Sequence, residues 1–389
     1  MAYSTTILNQ LLNLLRGHHF DNAVSAVRAD RYVKHFTAWQ QLVVLLYAQA
    51  SGKDSLRAIQ NGLSAHPEHL YHLGIEQSVA RSTLADANAR RPSSIFESLF
   101  YSLFERCAAL APKHRFHFKN KLYSIDATII ELCLSLFPWA KFTARKGALK
   151  LHCALDHCGN IPAFVVITDG KCHELSAAKA AFPIEPDSIY CFDRGYNDFE
   201  WFRRIHESGA FFVTRAKSNL DYTIAGQQAN NLPKGVYLDQ RVTLSGVTAQ
   251  GKFPYELRLV HYHDEETGRL LEFLTNNFKL SAGTIGQIYK ARWQIEAFFK
   301  WIKQNLKIKS FLGTTPNAVM TQIWVAMCYY LLLAYIKFQT RYKESLFYLH
   351  VLVKETLLDK LSLVDLPNLN MLRLDRFRRK DLEPLLPFF

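Results

Sequence analysis

The chain has 389 residues, of which 49% are hydrophobic, so it is long and apolar enough for two or three globular domains and is not intrinsically disordered. Lysine and arginine exceed aspartate and glutamate by 13 (47 against 34). This excess favours a polyanionic partner, either nucleic acid or an anionic surface. The 7 cysteines include no CxxC pair, which indicates free thiols in a reducing cytosol rather than a disulfide framework.

Export and membrane signals are not predicted. The first residues lack the early positive charges of a signal peptide, and their apolar residues recur at helical spacing. The longest apolar run, Ile323–Ile336, is too short to cross a bilayer and predicts a buried helix. We therefore expect a cytoplasmic protein that is not embedded in a membrane.

The first part of the chain, to about residue 118, is predicted to be mostly helical. Ser55 is a predicted N-cap, and Ser82 or Thr83 is predicted to cap a further short helix. A helix-turn-helix and an ordinary solvated helix both fit this region, because such motifs are weak in a single sequence. The exposed polar side of the second helix is predicted to consist of Asn88, Arg90 and Arg91.

From Leu122 onward, strand-like segments alternate with helical ones. Three neighbouring strands are followed by helix, strand, helix and strand, which predicts a mixed sheet flanked by helices. The predicted strands are Tyr123–Ile130, Lys150–His157, Asn160–Gly170, Ser188–Tyr196 and Ala210–Lys217, and the predicted helices are Glu174–Phe182 and Phe199–Gly209.

The pattern changes at residues 218–270, which are rich in strands and turns and include a strong hairpin signal around DEETG. We interpret this segment as a β insertion within the α/β unit. One long helix, Ile285–Leu306, then resumes the core. The tail is basic and is predicted to be peripheral.

The long helix carries an unusual charge pattern. At 100° per residue, Tyr289, Arg292, Glu296 and Lys303 fall within an arc of about 60°, with Lys300 beside it. Arg292 and Glu296 form an i,i+4 pair in the weaker orientation, and the cations outnumber the acid. A surface salt-bridge stripe and a site for phosphates and a metal ion both fit this pattern.

Two further acids lie in or at the end of apolar strands. Asp126 interrupts YSIDAT, and Asp193 ends SIYCFD. A buried acid is costly unless it is paired or bound to a metal, so these two and Glu296 are expected to converge. Three carboxylates suit Mg²⁺ or Mn²⁺, and two such ions support phosphodiester chemistry. Asp156 and Asp169 are rivals, although both fit ordinary turn positions.

These motifs carry a resemblance. YSIDAT, FDRGY and the spacing Tyr289-x2-Arg292-x3-Glu296-x6-Lys303 resemble the signature of DDE transposases of the insertion-sequence-four family, which have an RNase H-like catalytic core. The resemblance implies that Asp126, Asp193 and Glu296 ligate two Mg²⁺ ions, with Mn²⁺ as a substitute. It also implies that Tyr289, Arg292 and Lys303 contact phosphates near the cleaved end.

The implied reaction is cut-and-paste transposition: nicking at the element's end, hairpin formation, hairpin opening and strand transfer. Relatives insert a tryptophan from the β insertion to stabilise a flipped base. The insertion here has no tryptophan, which makes the hairpin step less secure than the metal triad. Its aromatic candidates are Tyr222, Tyr237, Phe253 and Tyr255.

DNA is also suggested by a basic run after the first acid. We expect its cations, together with Lys300, to grip the DNA backbone, although a solvated charge run also fits. The candidates in this run are Lys141, Arg145, Lys146 and Lys150.

The partners implied by the resemblance are the element's terminal inverted repeats and target DNA, bound by a homodimer in a bacterial cytoplasm at the nucleoid. An inactive transposase relative that regulates DNA, and an RNase H-like nuclease without strand transfer, remain alternatives. The predicted domains are 1–118 (helical, DNA-binding), 119–217 (first part of the catalytic core), 218–270 (β insertion), 271–345 (second part of the core) and 346–389 (helical tail).

Overall fold

The computed structural model describes residues 5–366, apart from residues 76–78, 144–145, 230, 307 and 309. In chain order, the elements of these residues are α1 (Ile7–Leu15), α2 (His18–Ala26), α3 (Ala38–Ser51), α4 (Leu56–Ser64), α5 (Pro67–Leu70), α6 (Arg81–Arg90), α7 (Ser94–Leu110), β1 (Leu122–Leu132), β2 (Gly147–Asp156), β3 (Ile161–Asp169), α8 (Glu174–Ala181), β4 (Ile189–Phe192), α9 (Phe199–Glu207), β5 (Phe211–Arg215), β6 (Tyr222–Gln227), β7 (Val236–Leu244), α10 (Val247–Lys252), β8 (Leu257–Asp264), β9 (Arg269–Thr275), α11 (Ala282–Ala291), α12 (Trp293–Asn305), α13 (Pro316–Thr340) and α14 (Leu346–Glu355).

The chain divides into two compact units. One is helical and contains the residues up to Ala111 together with those from Asn305 onward, and the other spans Pro112–Gln304. This division differs from the predicted one, which assigned residues 271–345 to the catalytic core and 346–389 to a separate tail. The physical reason is that α13 packs against α3, α6, α7 and α14 and so belongs to the helical unit.

The helical unit is organised around α13, which contains the longest apolar run of the sequence. This helix is long and apolar enough to cross a membrane by length and composition, but 89% of its most apolar window is buried inside the protein. The run therefore forms a core helix, as predicted. The predicted N-cap of α4 is also confirmed, because Ser55 Oγ accepts a hydrogen bond from Ala58 N at 3.2 Å.

Helix α6 differs from its prediction in two ways. It begins at Arg81 after an extended Ala80, so Ser82 and Thr83 lie inside its first turn and do not cap it. Its predicted polar face is also partly buried. Asn88 accepts a hydrogen bond from Gln41 Nε2 at 2.8 Å, and Arg91 donates one to Gln41 Oε1 at 2.8 Å. These two side chains therefore stabilise the packing of α3 against the α6 region.

The second unit contains a nine-stranded mixed sheet in the order β3-β2-β1-β4-β5-β9-β8-β7-β6 within the described residues. Strands β1 to β3 are antiparallel neighbours, and β4 and β5 run parallel to β1 and to each other. Helix α11 packs Ile285 and Ile288 on the sheet beside Cys191 and Val213. The predicted mixed α/β fold is confirmed and is consistent with an RNase H-like core.

Strands β6 to β9 come from the segment predicted as a β insertion, and they lie within the α/β unit. Strand β9 pairs with the edge of β5, Val213 opposite Thr275, so these strands continue the core sheet. The extension has its own buried ion pair, in which Arg258 Nε donates to Asp239 Oδ1 at 2.7 Å. This pairing satisfies the edge of β5, which would otherwise expose unpaired backbone groups.

Candidate active site

Asp126 lies in the middle of the central strand β1. The strand continues through it, and the Ala127 amide donates a hydrogen bond to Asp126 Oδ1 at 2.8 Å. In the parallel pair of β1 and β4, Ile125 lies beside Phe192. Asp126 and Asp193 are the next residues of the two strands. Because parallel neighbours alternate sides together, we expect their side chains on the same side of the sheet.

Asp193 follows β4 and begins the 3-10 turn Arg194–Tyr196. Its Oδ1 accepts a hydrogen bond from Gly195 N at 2.8 Å. A Cβ atom at position 195 would lie 2.9 Å from this oxygen, so glycine permits the close approach. The turn thus holds the carboxylate at the end of the strand.

Glu296 enters the site from α12, and here the predicted single helix Ile285–Leu306 is wrong. The helix is interrupted at Arg292, between α11 and α12. Two short-range bonds tighten the chain there: Arg292 N donates to Tyr289 O, and Ile295 N donates to Arg292 O, each at 3.1 Å. A wheel drawn through both helices therefore does not describe the real surface, although Arg292 and Glu296 remain neighbours.

Arg292 joins two of the three acids. Its Nη2 donates to Glu296 Oε1 at 2.7 Å, and its Nη1 lies 3.5 Å from Asp126 Oδ2. The Tyr289 ring lies against the guanidinium, with 5.6 Å between Cζ and the ring centroid. Arg292 Nε is buried and makes no hydrogen bond. The site therefore holds a cation between carboxylates from two distant segments.

The surroundings of Asp126 disfavour its ionised form. Burial raises the pKa of Asp126 to about 6, and the charges of Asp193 and Glu174 raise it further, whereas the Ala127 amide and Arg292 oppose the rise. Burial is the largest cause of this rise, and the two neighbouring acids add to it. Oxygen donors with excess negative charge suit hard divalent cations. In the part of the chain that the structure describes, Asp126, Asp193 and Glu296 do not bring their ligand oxygens within 4.8 Å of one another.

A comparison with known families decides the family of this chain. The family described as "Transposase DDE domain" matches residues 117–332, more than half of the 389 residues. The chain belongs to the DDE transposase family. A second family, described as "Domain of unknown function (DUF4372)", matches residues 3–76.

Named relatives agree with this assignment. A Sinorhizobium fredii protein named as a transposase is 36% identical over 66% of this chain and 71% of its own length. A Geobacillus stearothermophilus protein named as the transposase of insertion sequence element IS5377 is 29% identical over 67% of this chain and 68% of its own. A Synechocystis protein, named for element IS4SA, is 25% identical over 66% and 72%. The resemblance to insertion-sequence-four transposases is confirmed.

Among solved structures, a piggyBac transposase synaptic complex with hairpin DNA matches with a TM-score of 0.43 and 9% identity, covering 98% of this chain and 85% of that one. This level of similarity carries no argument about the site. DDE transposases are enzymes that act on DNA and generally use divalent metal ions, and this holds for the family to which the chain belongs.

The cations predicted to bind DNA fall into different environments in this transposase. Lys300, Lys141 and Lys146 are exposed, whereas Lys303 is half-buried. Arg145 lies outside the described residues. Lys150 was predicted to contact the DNA backbone, but its side chain is only 12% exposed, and its Nζ donates a hydrogen bond to Cys172 O at 3.0 Å. Tyr289 is half-buried, with its ring centroid 4.9 Å from that of Phe273.

The rival acids have ordinary roles in turns. Asp156 Oδ1 accepts a hydrogen bond from Cys158 N at 2.7 Å. Asp169 Oδ1 accepts hydrogen bonds from the amides of Lys171 and Cys172, each at 2.9 Å. Both acids therefore stabilise their turns, which is the alternative that their strand-end positions favoured.

Three residues at the site were missed in the sequence. Glu174 begins α8, and an acid in the first turn of a helix is too common to suggest a site. Tyr196 ends the motif FDRGY, which indicated the family without suggesting a role for this tyrosine. Trp293 is 64% exposed beside Arg292, but the assumption of a continuous helix hid its position at a helix start.

Proposed function

We propose that this transposase moves an insertion sequence by cut-and-paste transposition, with Asp126, Asp193 and Glu296 holding two Mg²⁺ ions. The observation that supports the proposal is the position of Arg292. Its guanidinium lies 2.7 Å from Glu296 and 3.5 Å from Asp126, so a positive charge sits between two of the proposed metal ligands. When bound, the ions supply the activation of a water molecule or a 3′-hydroxyl and the stabilisation of the leaving oxygen. Mn²⁺ would substitute for Mg²⁺.

The remaining residues bind and position DNA in this proposal. Arg292 neutralises Glu296 and Asp126 in the metal-free protein, and it would contact a phosphate near the cleaved end, together with Tyr289 and Lys303, once divalent cations took its place beside the acids. The exposed Lys141, Lys146 and Lys300 add contacts to the backbone. The substrates are the element's terminal inverted repeats and target DNA.

The hairpin step requires that a base leave the stack at the element's end. Among the candidate aromatics, Phe253 is buried and Tyr255 donates a hydrogen bond to Glu207 at 3.0 Å, whereas Tyr237 is 66% exposed. Trp293 is exposed and adjoins Arg292 in sequence. We assign base stacking to Trp293, because it lies one residue from the arginine that joins the acids. The enzyme would act as a homodimer that holds two ends, at the nucleoid of a bacterial cytoplasm.

The test is cleavage of a plasmid that carries the DNA flanking this gene, with Mg²⁺, by the wild type and by Glu296→Gln. We expect loss of cleavage by about a thousandfold, equivalent to about 4 kcal/mol of transition-state stabilisation, with DNA binding retained. Glu256→Gln is the control, because Glu256 is 45% exposed and pairs only loosely with Arg241 at 3.7 Å. Equal cleavage by Glu296→Gln would remove it from the metal site, and binding without cleavage by the wild type would favour a DNA-binding regulator.

A further inference from the structure

A fourth acid, Glu174, lies in the surroundings of Asp126. Glu174 is the first residue of α8, which follows β3 and packs against β2 and the turn Arg194–Tyr196. Its negative charge acts on Asp126 in the same direction as that of Asp193. The helix therefore brings Glu174 to the same end of the sheet as the other acids.

Tyr196 gives an independent indication that something is missing from this cluster. Its side chain is 1% exposed, and its hydroxyl makes no hydrogen bond. Burial raises the pKa of Tyr196 above its usual range, and the charges of Asp126, Glu174 and Asp193 raise it further, so the hydroxyl stays protonated among these acids. A buried hydroxyl without a partner costs about 1–3 kcal/mol. The hydroxyl is thus a buried donor without a partner, in the electrostatic surroundings of three acids.

Lys150 holds Glu174 in this place. Its Nζ lies 3.6 Å from Glu174 Oε1 and donates to the Cys172 carbonyl at 3.0 Å. An ion pair of this length at the start of a helix has an ordinary structural explanation. That explanation does not account for the unpaired Tyr196 hydroxyl, whereas closure of the acids around a cation accounts for both.

We propose that Glu174 is a fourth acidic ligand of the divalent cation centre, and that Tyr196 positions a carboxylate of this cluster by donating a hydrogen bond once a cation draws the acids together. The inference rests on the proposed function, because it requires the metal site at Asp126, Asp193 and Glu296. It also gives the mostly buried Lys150 a role, since its positive charge offsets that of Glu174 while no metal ion is bound.

The test measures Mn²⁺ binding by electron paramagnetic resonance on the full chain without DNA, so that catalysis plays no part in the readout. We expect Glu174→Gln and Tyr196→Phe each to weaken Mn²⁺ binding about tenfold or more. Glu200→Gln is the matched control, because Glu200 also lies in the first turn of a helix and its 58% exposed side chain pairs with Lys252 at 3.2 Å. It should bind Mn²⁺ like the wild type.

Asp126→Asn separates the two proposals. If it abolishes Mn²⁺ binding while Glu174→Gln matches Glu200→Gln, the fourth ligand is wrong and the proposed function stands. If Asp126→Asn binds Mn²⁺ normally, the proposed metal site itself is wrong. Glu174→Asp keeps the charge but shortens the side chain, so it should also weaken Mn²⁺ binding. Wild-type Mn²⁺ binding by Glu174→Asp beside weak binding by Glu174→Gln would show that Glu174 acts through its charge and would contradict direct ligation.

Unfolding by urea with a chelator tests the role of Tyr196. A hydroxyl without a partner contributes nothing to the metal-free fold, so Tyr196→Phe should be as stable as the wild type or more stable. Weaker Mn²⁺ binding without loss of metal-free stability supports the positioning role. Loss of metal-free stability, or unchanged Mn²⁺ binding, overturns it.

Discussion

Among the arginine–carboxylate contacts of the α/β unit, those of Arg258 and of Arg292 differ in how completely the charged groups are paired. Arg258 bonds Asp239 through two parallel contacts of 2.7 and 2.8 Å, and its Nη1 donates to the carbonyls of Asn277 and Leu280. The Arg258 and Asp239 side chains are 3% and 1% exposed. Arg292 makes one short contact with Glu296 and a long one with Asp126, and its Nε has no partner.

The comparison shows how one pairing chemistry serves two purposes. The Arg258 cluster is closed, because every charged group has a fixed partner and water is excluded. The Arg292 cluster is open, because its acids are 20% and 32% exposed and carry more negative charge than one guanidinium neutralises. We infer that the closed cluster stabilises the sheet, whereas the open cluster can exchange its arginine for divalent cations and phosphate.

Breaking the closed cluster should have the largest effect on stability. In Asp239→Ala the buried Arg258 charge loses its partner, so the free energy of unfolding should fall by about 3–5 kcal/mol in urea denaturation. The control is Glu256→Ala, which breaks an ion pair that is about half exposed and should cost less than about 1 kcal/mol. A loss below 1 kcal/mol for Asp239→Ala would show that the pair is not structural.

Removing an acid from the open cluster should raise the free energy of unfolding instead of lowering it. The pKa of Asp126 is raised from 3.8 to about 6 in the folded protein, so between these pH values the native state binds a proton that the unfolded chain has lost. The metal-free wild type therefore loses stability as pH rises through this window. Asp126→Asn should be more stable than the wild type at pH 7 by at most about 3 kcal/mol.

This difference should shrink towards zero as the pH falls below 4, where Asp126 is protonated in both states. Chemical denaturation in the presence of a chelator, at several pH values, measures it. A destabilised Asp126→Asn at pH 7 would mean that the Arg292 contact outweighs burial and repulsion, and the two clusters would then be alike.

The aromatic next to the open cluster gives a third comparison. Trp293→Ala should slow hairpin formation about tenfold or more, because base–aromatic stacking contributes about 1–3 kcal/mol. Fluorescence of 2-aminopurine at the element's end reports the flipped base directly. Tyr237→Ala is matched in exposure and should have little effect; if it alone suppresses the signal, the stacking residue belongs to the strand extension.

The smallest expected effect is on the salt dependence of DNA binding, and it tests whether Arg292 moves from the acids to a phosphate. With Ca²⁺ present to fill the acids without cleavage, Arg292→Ala should reduce the salt dependence of end binding by about one phosphate contact. With a chelator, Arg292 stays paired with the acids, and the mutant and wild type should show equal slopes. Equal slopes under both conditions would mean that Arg292 only neutralises Glu296 and Asp126.

The sequence alone determined the parts of this protein that depend on local patterns. Apolar runs and turn residues predicted the strands from β1 to β5 and the helices between them, and the spacing from Tyr289 to Lys303 indicated the family. It also indicated Asp126 and Asp193 as candidate metal ligands, because burying an acid in an apolar strand costs free energy unless the acid has a partner.

Only the tertiary structure decided which groups face one another. The pairing of β9 with β5 and the contacts of Lys150 with Glu174 and Cys172 join segments far apart in the chain. The interruption at Arg292 depends on local hydrogen bonds that no sequence pattern indicated. Glu174 and Tyr196 were overlooked for the same reason: a helix-start acid and a strand-end tyrosine have ordinary local explanations. Their relation to Asp126 arises from the packing of α8 against the turn after β4, and single-sequence periodicity contains no information about that packing.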